Sequence, residues 1–322
     1  GLMGSGKSTL ARALAERMGR ACVDMDDMIA SRTGLTIERW FSERGEDAFR
    51  DVEAHMVSDV IEETAPKVIA LGGGAALRTE TRKKLLKETL LITLTAPVDE
   101  LSRRVAMDTS RPLLKGGNAV EVLSQLKTSR AASYAECHAS IETKGQGTDV
   151  LVTQIERFAS LRCVAVPLGV RSYSVWIGTG LKDVVEHMVE QGRGEHTVVM
   201  VSDMNVEPIA GKPLLACLKA SGHRVIDVVL PPGEAHKTLQ NVEQIWNAAL
   251  EGGVSRSDIV VGVGGGVVGD LAGFAASSLL RGIELGHVPT TLLSMVDSSV
   301  GGKTGFDRPQ GKNLIGTFYQ PR

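Results

Sequence analysis

Apolar residues recur along this chain at two periods, and the alternation between them predicts its architecture. Short apolar runs read as strands: Ala21 to Val23, "KVIAL" ending at Gly72, "LLITLTA" before Pro97, "HTVVMVSD", "RVIDVVL" and "DIVVGV". Between them the apolar spacing turns helical. Leu10, Leu14 and Met18 share one helix face, and Phe49, Val52, Met56 and Val60 share another. Further helices are expected up to Ser221, from Thr238, and in the Ala-rich stretch after Gly266. Strands alternating with helices build parallel sheets covered on both faces. The run "VAVPLGVRSYSVWIG" instead alternates at period two, as edge strands or a hairpin do. The pattern predicts an α/β protein of two domains, over residues 1–155 and 163–322, with a boundary near residue 160 and no internal repeat. Lys115 to Asn118 reads as a mobile loop.

Composition narrows the class. A length of 322 residues suits two domains, each able to bury its own core. With 36 Lys+Arg against 38 Asp+Glu the net charge is −2, so no basic field marks a nucleic-acid or anionic-membrane partner. No apolar run approaches the ~20 residues of a membrane helix. The 36 glycines, beside only 4% aromatics, suggest tight loops where backbone approaches a ligand. Cys22, Cys137, Cys163 and Cys217 form no CxxC pair; scattered thiols fit a reducing compartment, and the cytoplasm is the expected location. The sequence opens at Gly1 inside a motif and stops at Arg322 after "GTFYQP", so both ends are expected to be cut from something longer.

That opening motif carries chemistry. Gly1, Gly6, Lys7 and Ser8 satisfy G-x-x-x-x-G-K-S/T, a loop whose backbone N–H groups cradle phosphate oxygens at a helix N-terminus. Lys7 suits the β/γ-phosphates and the Ser8 hydroxyl suits Mg²⁺. Asp24 and Asp26, at i and i+2 of an extended segment, would point the same way, one toward Mg²⁺ and one toward a substrate hydroxyl. The alternative is a helix N-cap cluster. Arg50 and Glu53 stand i,i+3 on one helix, so Glu53 either orients Arg50 or forms a plain surface ion pair with it.

In order and spacing, "GLMGSGKST", "DMDDMI", "GEDAFRDVE", "IALGGGAAL" and "RPLL" resemble shikimate kinase over about residues 1 to 145. The resemblance implies a P-loop kinase with a three-layer fold on a parallel sheet. ATP would be bound by Gly4, Ser5, Gly6, Lys7, Ser8, Thr9, Arg104 (near the adenine) and Arg111, the last as a lid arginine on the transferring phosphoryl group. Ser8 and Asp24 would serve Mg²⁺. Shikimate would be met by Asp26, Arg50, Gly72, Gly73, Gly74 and Arg130, the two arginines gripping its carboxylate. One departure is that Ala131 and Ala132 follow Arg130 where the family often carries a Pro, while Tyr134 is in place. The strand that launches the loop would precede Gly1, so this half by itself is expected to be unstable or inactive.

In the second half, "DIVVGVGGGVVGDLAGFAAS" places Gly264, Gly265 and Gly266 between a strand and a helix. Such a turn either cradles a pyrophosphate or packs a helix tightly on its strand. "SDMNV" puts Asp203 and Asn205 at a strand end, where a carboxylate can take ribose hydroxyls. Lys303 and Lys312 lie in Gly-rich loops, as phosphate or carboxylate ligands or as solvated loop lysines. His187, His196, His223, His236 and His287 read as loop or packing histidines, outside any HExxH pattern.

Together with "VPLGVRSYSVWIGTGL", "PPGEAHK", "RGIELGHVPTTLLSMVDSSVGGKTGF" and "GKNLIGTFYQP", these runs resemble 3-dehydroquinate synthase over about residues 163 to 322. That implies a Rossmann-like domain holding NAD⁺ through Asp203, Asn205, Glu234, Lys237, Gly265, Gly266, Val267, Asp270, Thr290, Thr291, Leu293 and Lys312. The substrate, 3-deoxy-D-arabino-heptulosonate 7-phosphate, would meet Asp297, Lys303 and Asn313. Arg281 would reach the substrate phosphate of a neighbouring subunit, which implies a homodimer. The family's chemistry is a transient oxidation by NAD⁺, elimination of phosphate, return of the hydride and ring closure. Its divalent metal, Zn²⁺ or Co²⁺, would be held beyond residue 322, and no zinc ligand is expected in this chain.

The two resemblances share a pathway, aromatic amino acid biosynthesis through shikimate and chorismate, and the reading is a bifunctional enzyme. Two alternatives remain from the residues themselves: a gluconate-like kinase joined to another sugar-phosphate cyclase, or a non-catalytic nucleotide-binding remnant.

Overall fold

The computed structural model describes residues 1–106, 118–190 and 196–322. They form two compact units, Gly1–Gly178 and Thr179–Arg322. Arg111 and most of the loop expected at Lys115–Asn118 lie outside the described residues.

The first unit runs α1 (Lys7–Met18), β1 (Ala21–Asp24), α2 (Met25–Thr33), α3 (Ile37–Glu62), β2 (Lys67–Ala70), α4 (Thr79–Glu88), β3 (Ile92–Thr95), α5 (Val98–Val105), α6 (Ala119–Ala135), β4 (Ala139–Glu142), α7 (Thr148–Ala159), β5 (Arg162–Val166) and β6 (Tyr173–Ile177). β1 pairs in parallel with β2, and β3 with β4. At Gly45 the backbone of α3 leaves helical geometry with φ 81°, a conformation that costs glycine little. Past this break Phe49, Met56, Val57 and Val60 turn inward, burying against Met25, Ile29 and Trp40. The antiparallel hairpin of β5 and β6 also groups with this unit. Phe158 and Trp176 stack at 4.9 Å, and the Gly169 N–H donates to Glu136 Oε1 at 3.1 Å. The pattern had placed the start of the second domain at residue 163, within this hairpin.

The second unit runs α8 (Lys182–Glu190), β7 (Thr197–Asp203), α9 (Lys212–Ala220), β8 (Arg224–Leu230), α10 (Leu239–Glu251), β9 (Ile259–Gly264), α11 (Gly266–Ser278), β10 (Glu284–Pro289), β11 (Lys303–Arg308) and β12 (Gly311–Phe318). Its main sheet is wholly parallel in the order β10-β9-β7-β8. Successive side chains of a strand face opposite ways. Val199 and Val201 therefore enter a core with α10 and α11, while Val198 and Met200 enter one with α8 and α9. Both faces are buried, which is why β7 reads as a continuous apolar run. From β7 the chain moves to β8 on one side and then to β9 on the other. The strand order thus reverses at the carboxyl ends of β7 and β9, the place where open α/β sheets form their ligand crevice.

Lys303 and Lys312 do not lie in loops, as their glycines suggested. They sit on paired antiparallel strands, β11 and β12, with Gly305 opposite Gly316. A Cβ on Gly316 would meet the Thr304 carbonyl oxygen at 2.1 Å, so these glycines permit close strand approach and not loop freedom.

His287 on β10 lies beneath α11, where a Cβ on Gly262 or Gly269 would approach its ring within 3.6 Å. Burial pushes its pKa down from 6.5 to about 4. A histidine buried neutral favours folding above its unfolded pKa, and that stability is lost as pH falls toward the folded value. Acid titration of the second unit should therefore show a loss of about 3 kcal/mol between pH 6.5 and 4, at 1.4 kcal/mol per pKa unit. His287→Gln should flatten that slope in urea-unfolding series across this window.

Candidate functional sites

The loop Gly1–Gly6 enters α1 through left-handed glycines, Gly4 at φ 77° and Gly6 at φ 88°. A Cβ on Gly4 would also strike Val105 Cγ1 at 2.8 Å, so space and backbone both require glycine there. α1 has no side-chain cap and no acid in its first turn, leaving its N–H groups open to an anion. Lys7 Nζ donates to the Gly1 and Leu2 carbonyls at 3.0 Å each, folded back over the loop it would serve. Ser8 is half-buried and Thr9 exposed in the first turn, whereas the Ser5 hydroxyl turns inward without a hydrogen-bond partner. Arg104 stands beside the loop. Its guanidinium donates to the Gly4 carbonyl at 3.3 Å, to Thr143 Oγ1 at 2.9 Å and to the Thr143 carbonyl at 3.0 Å.

The two aspartates are not an extended pair. β1 ends at Asp24, which caps α2 by accepting from the Asp26 N–H at 3.1 Å, and Asp26 already lies in the first helical turn. Asp26 is directed elsewhere, toward the turn Gly72–Gly74. A Cβ on Gly72 would fall 2.9 Å from Asp26 Oδ1 and 2.5 Å from Glu53 Oε1, and one on Gly74 would overlap the Arg50 guanidinium. From the other side Arg130 Nη1 and Tyr134 Oη both donate to the Gly73 carbonyl, at 2.9 and 2.5 Å. Four charged side chains from α2, α3 and α6 thus converge on a glycine turn whose missing side chains make room for them.

Arg50 reaches this turn held by two glutamates. It donates to Glu53 Oε2 at 2.6 Å and to Glu46 Oε1 at 2.9 Å, with its face over Phe49 at 5.2 Å. Glu46, at i−4, was not foreseen, although Glu at that spacing from Arg is itself a sequence signal. Glu53 is 1% exposed, which excludes a plain surface pair. Burial pushes its carboxyl above the ordinary 4.5, and Asp26 nearby adds to the rise while Arg50 opposes it. Burial likewise raises the Tyr134 phenol, which stays a neutral donor. A separate cavity of about 500 Å³ opens along β1, lined by Arg12, Asp24 and Arg32 among others. None of Arg50, Glu53 or the glycine turn lines it, so it is not the site of this cluster.

In the second unit the residues singled out gather at the β7/β9 crevice. The Asp203 carboxylate closes the turn after β7 by accepting from the Asn205 and Val206 N–H groups at 2.9 and 3.1 Å. After β9, α11 begins at Gly266 without a side-chain cap or first-turn acid. A Cβ on Gly264 would meet Val268 at 2.6 Å, so the helix packs down on its strand, and Thr291 and Ser298 lie beside Gly265 and Gly266. Thr290 N–H binds the Gly264 carbonyl at 2.9 Å, while the buried Thr290 hydroxyl has no partner. An uncapped helix N-terminus and an orphaned hydroxyl fit a dinucleotide's pyrophosphate. Thr291 donates to Ser294 Oγ at 2.9 Å. Val267 faces the core, and Leu293 is exposed.

Two ion pairs cross this region. Lys237, 4% exposed, pairs with Asp270, and Lys312 pairs with Glu234 at 3.0 Å. Burial leads in raising the Asp270 carboxyl, with Lys237 opposing it. Asp297 and Lys303 are exposed and stand outside these pairs. Arg281 is exposed with φ 69°, next to Leu280 at φ 53°, a left-handed pair of non-glycine residues that Arg256 braces through the Leu280 carbonyl at 3.3 Å. Among the described residues no group of three or more His, Cys, Asp or Glu side chains could hold a metal ion. Among the same residues no helix is long and apolar enough to cross a membrane.

Comparison with known proteins separates the halves in the same way. Residues 3–160 match the family model of shikimate kinase, and residues 227–322 that of the 3-dehydroquinate synthase N-terminal part. The 3-dehydroquinate synthase of Rhodopirellula baltica is 47% identical over 168 residues, which cover 50% of this chain and 45% of that protein. The chain thus spans less than half the length of the curated relatives it matches. Among solved structures, shikimate kinase from Acinetobacter baumannii in complex with shikimate is 33% identical (TM-score 0.47; 50% of this chain, 89% of that one). A 2-deoxy-scyllo-inosose synthase complexed with carbaglucose-6-phosphate, NAD⁺ and Co²⁺ is 31% identical (TM-score 0.46; 50% and 44%). The chain carries, in tandem, a region that matches the shikimate kinase family model and one that matches the N-terminal 3-dehydroquinate synthase model.

Proposed function

We propose that the first unit transfers the γ-phosphoryl group of ATP to a hydroxyl of shikimate, and that the second is the cofactor-binding part of a 3-dehydroquinate synthase. The observation that carries the kinase reading is the ring of Asp26, Arg50, Glu53 and Arg130 about Gly72–Gly74. Two guanidiniums with two carboxylates, Glu53 orienting Arg50 and Asp26 available as a base, suit an acceptor that bears a carboxylate of its own and a hydroxyl to be deprotonated. Arg50 and Arg130 orient the acid, and Asp26 takes the proton. Lys7 and the open N–H groups of α1 hold the phosphates. Ser8 and Asp24 would hold Mg²⁺, which screens the phosphate charge.

In the second unit NAD⁺ would act as a transient hydride acceptor when bound. The N-terminus of α11 and Thr290 receive its pyrophosphate, Asp203 its ribose, and Lys237 and Asp270 lie on its flank. Lys303, Asp297 and Asn313 face the heptulosonate phosphate. No step is assigned to a divalent metal, because the described residues offer no ligand set. The strained, exposed Arg281 suits a role in trans, hence a homodimer. Scattered cysteines, none in a CxxC pair, suit the cytoplasm.

ADP release by the protein, offered shikimate and then D-gluconate, tests the kinase. Turnover on shikimate alone is the expected result, and turnover on gluconate would overturn the acceptor assignment.

A further inference from the structure

Three residues of the second unit close a ring of hydrogen bonds. The Asp307 N–H donates to the Lys237 carbonyl at 2.7 Å, the Asn313 N–H to Asp307 Oδ1 at 2.8 Å, and Lys237 Nζ to Asn313 Oδ1 at 2.5 Å. The ring joins the segment before α10 to the β11–β12 hairpin.

Each member is placed by a separate constraint. The ladder of β11 and β12 shifts register between Phe306 and Arg308, where the single residue Asp307 faces Lys312, Asn313 and Leu314, so the bulge lies on β12. The Asp307 N–H points to Lys237, and the bulge on β12 aims the Asn313 N–H at the Asp307 carboxylate, as bulges re-aim the groups they carry. Asn313 has φ 54°, a left-handed conformation that asparagine tolerates but that the surroundings must hold. The bond from its N–H to a carboxylate supplies that hold, and bonds of this kind are stronger than those between neutral groups. Lys237 is almost wholly buried, so its ammonium needs both Asp270 and Asn313.

We propose that Asp307 is a positioning residue that sets Lys237, on the cofactor side, and Asn313, on the substrate side, in one geometry. The role rests on the synthase reading of this unit. Asp307 touches neither ligand; it acts through Asn313 and Lys237. Asparagine at this position would keep the acceptor oxygen, whereas alanine would remove it.

The test uses the full chain with Asp307→Ala and Asp307→Asn. Two quantities are followed, amide hydrogen exchange at Asn313 and NAD⁺ affinity by calorimetry. Asp307→Ala should speed Asn313 exchange and weaken NAD⁺ binding, each by about tenfold, the size of one hydrogen bond to a charged group. Asp307→Asn should return both to within about twofold of the parent. In an Asn313→Ala background Asp307→Ala should cost little more, since residues acting through one another are not additive. Unchanged exchange in Asp307→Ala, additive losses in the double variant, or an Asn variant as impaired as the Ala one would each overturn the proposal. A parent chain that binds no NAD⁺ would overturn the synthase reading and the role with it, while the exchange result would still report whether Asp307 holds Asn313.

Discussion

Arg50→Ala is expected to lower kcat/KM for shikimate by about a thousandfold, because truncating one partner of a buried charge pair costs about 2–5 kcal/mol. Two losses combine. The acceptor loses a planar fork able to pair both oxygens of its carboxylate. The protein loses the cation beside Glu53, whose carboxyl burial already holds above 4.5. With Arg50 gone that pKa rises further. A carboxyl with a raised folded pKa contributes stability below its unfolded value that is lost as pH rises through the folded one. The variant's unfolding midpoint in urea should therefore trail the parent least near pH 5 and most near pH 8. Arg50→Lys separates the two effects, since it keeps the charge near Glu53 and loses the fork. It should keep the fold while the KM for shikimate rises about a hundredfold, roughly 2.7 kcal/mol of lost orientation. A parent-like KM in either variant would remove Arg50 from the acceptor site.

The second large effect is expected at Lys237. Lys237→Met leaves the partly buried Asp270 carboxylate without its cation, a loss of about 3–5 kcal/mol when one partner of a buried pair is removed. Burial already raises Asp270 above 3.8 with Lys237 opposing, so the substitution lifts it further. The deficit is then largest at neutral pH and shrinks as pH falls toward the new value, where the protonated acid needs no partner. Urea unfolding of the second unit, followed by Trp246 with Trp40 and Trp176 replaced by Phe, measures it. Adding Asp270→Asn should recover most of the stability and none of the NAD⁺ affinity. If the double variant binds NAD⁺ like the parent, the pair is structural alone.

Much of this was readable in the chain because it is local. A phosphate loop is a run of backbone conformations that glycines permit and a helix N-terminus completes, so Gly1, Gly6, Lys7 and Ser8 declare it in sequence. Glu53 beside Arg50 followed from helical spacing. Asp24 and Asp26 did not, because where β1 stops decides whether i and i+2 face the same way. The helix begins one residue after Asp24, and the pair diverges. The glycines of β11 and β12 misled for the opposite reason: glycine marks flexible loops and close strand contacts alike, and only the pairing of Gly305 with Gly316 tells which.

By itself the sequence determined the two α/β runs, the phosphate loop, the glycine turns at Gly72 and Gly264 and the residue types fit for each ligand. All of these depend on neighbours a few positions apart. Tertiary structure alone decided that Arg130 and Tyr134 close on the Gly73 carbonyl, that Lys237 is buried against Asp270, and that a bulge on β12 turns the Asn313 N–H to Asp307. Those contacts span 57 and 76 residues in the cases of Arg130 with Gly73 and Lys237 with Asn313. No local propensity encodes them. They follow from which strands pair and in what register, since a shift of one residue turns every side chain to the opposite face.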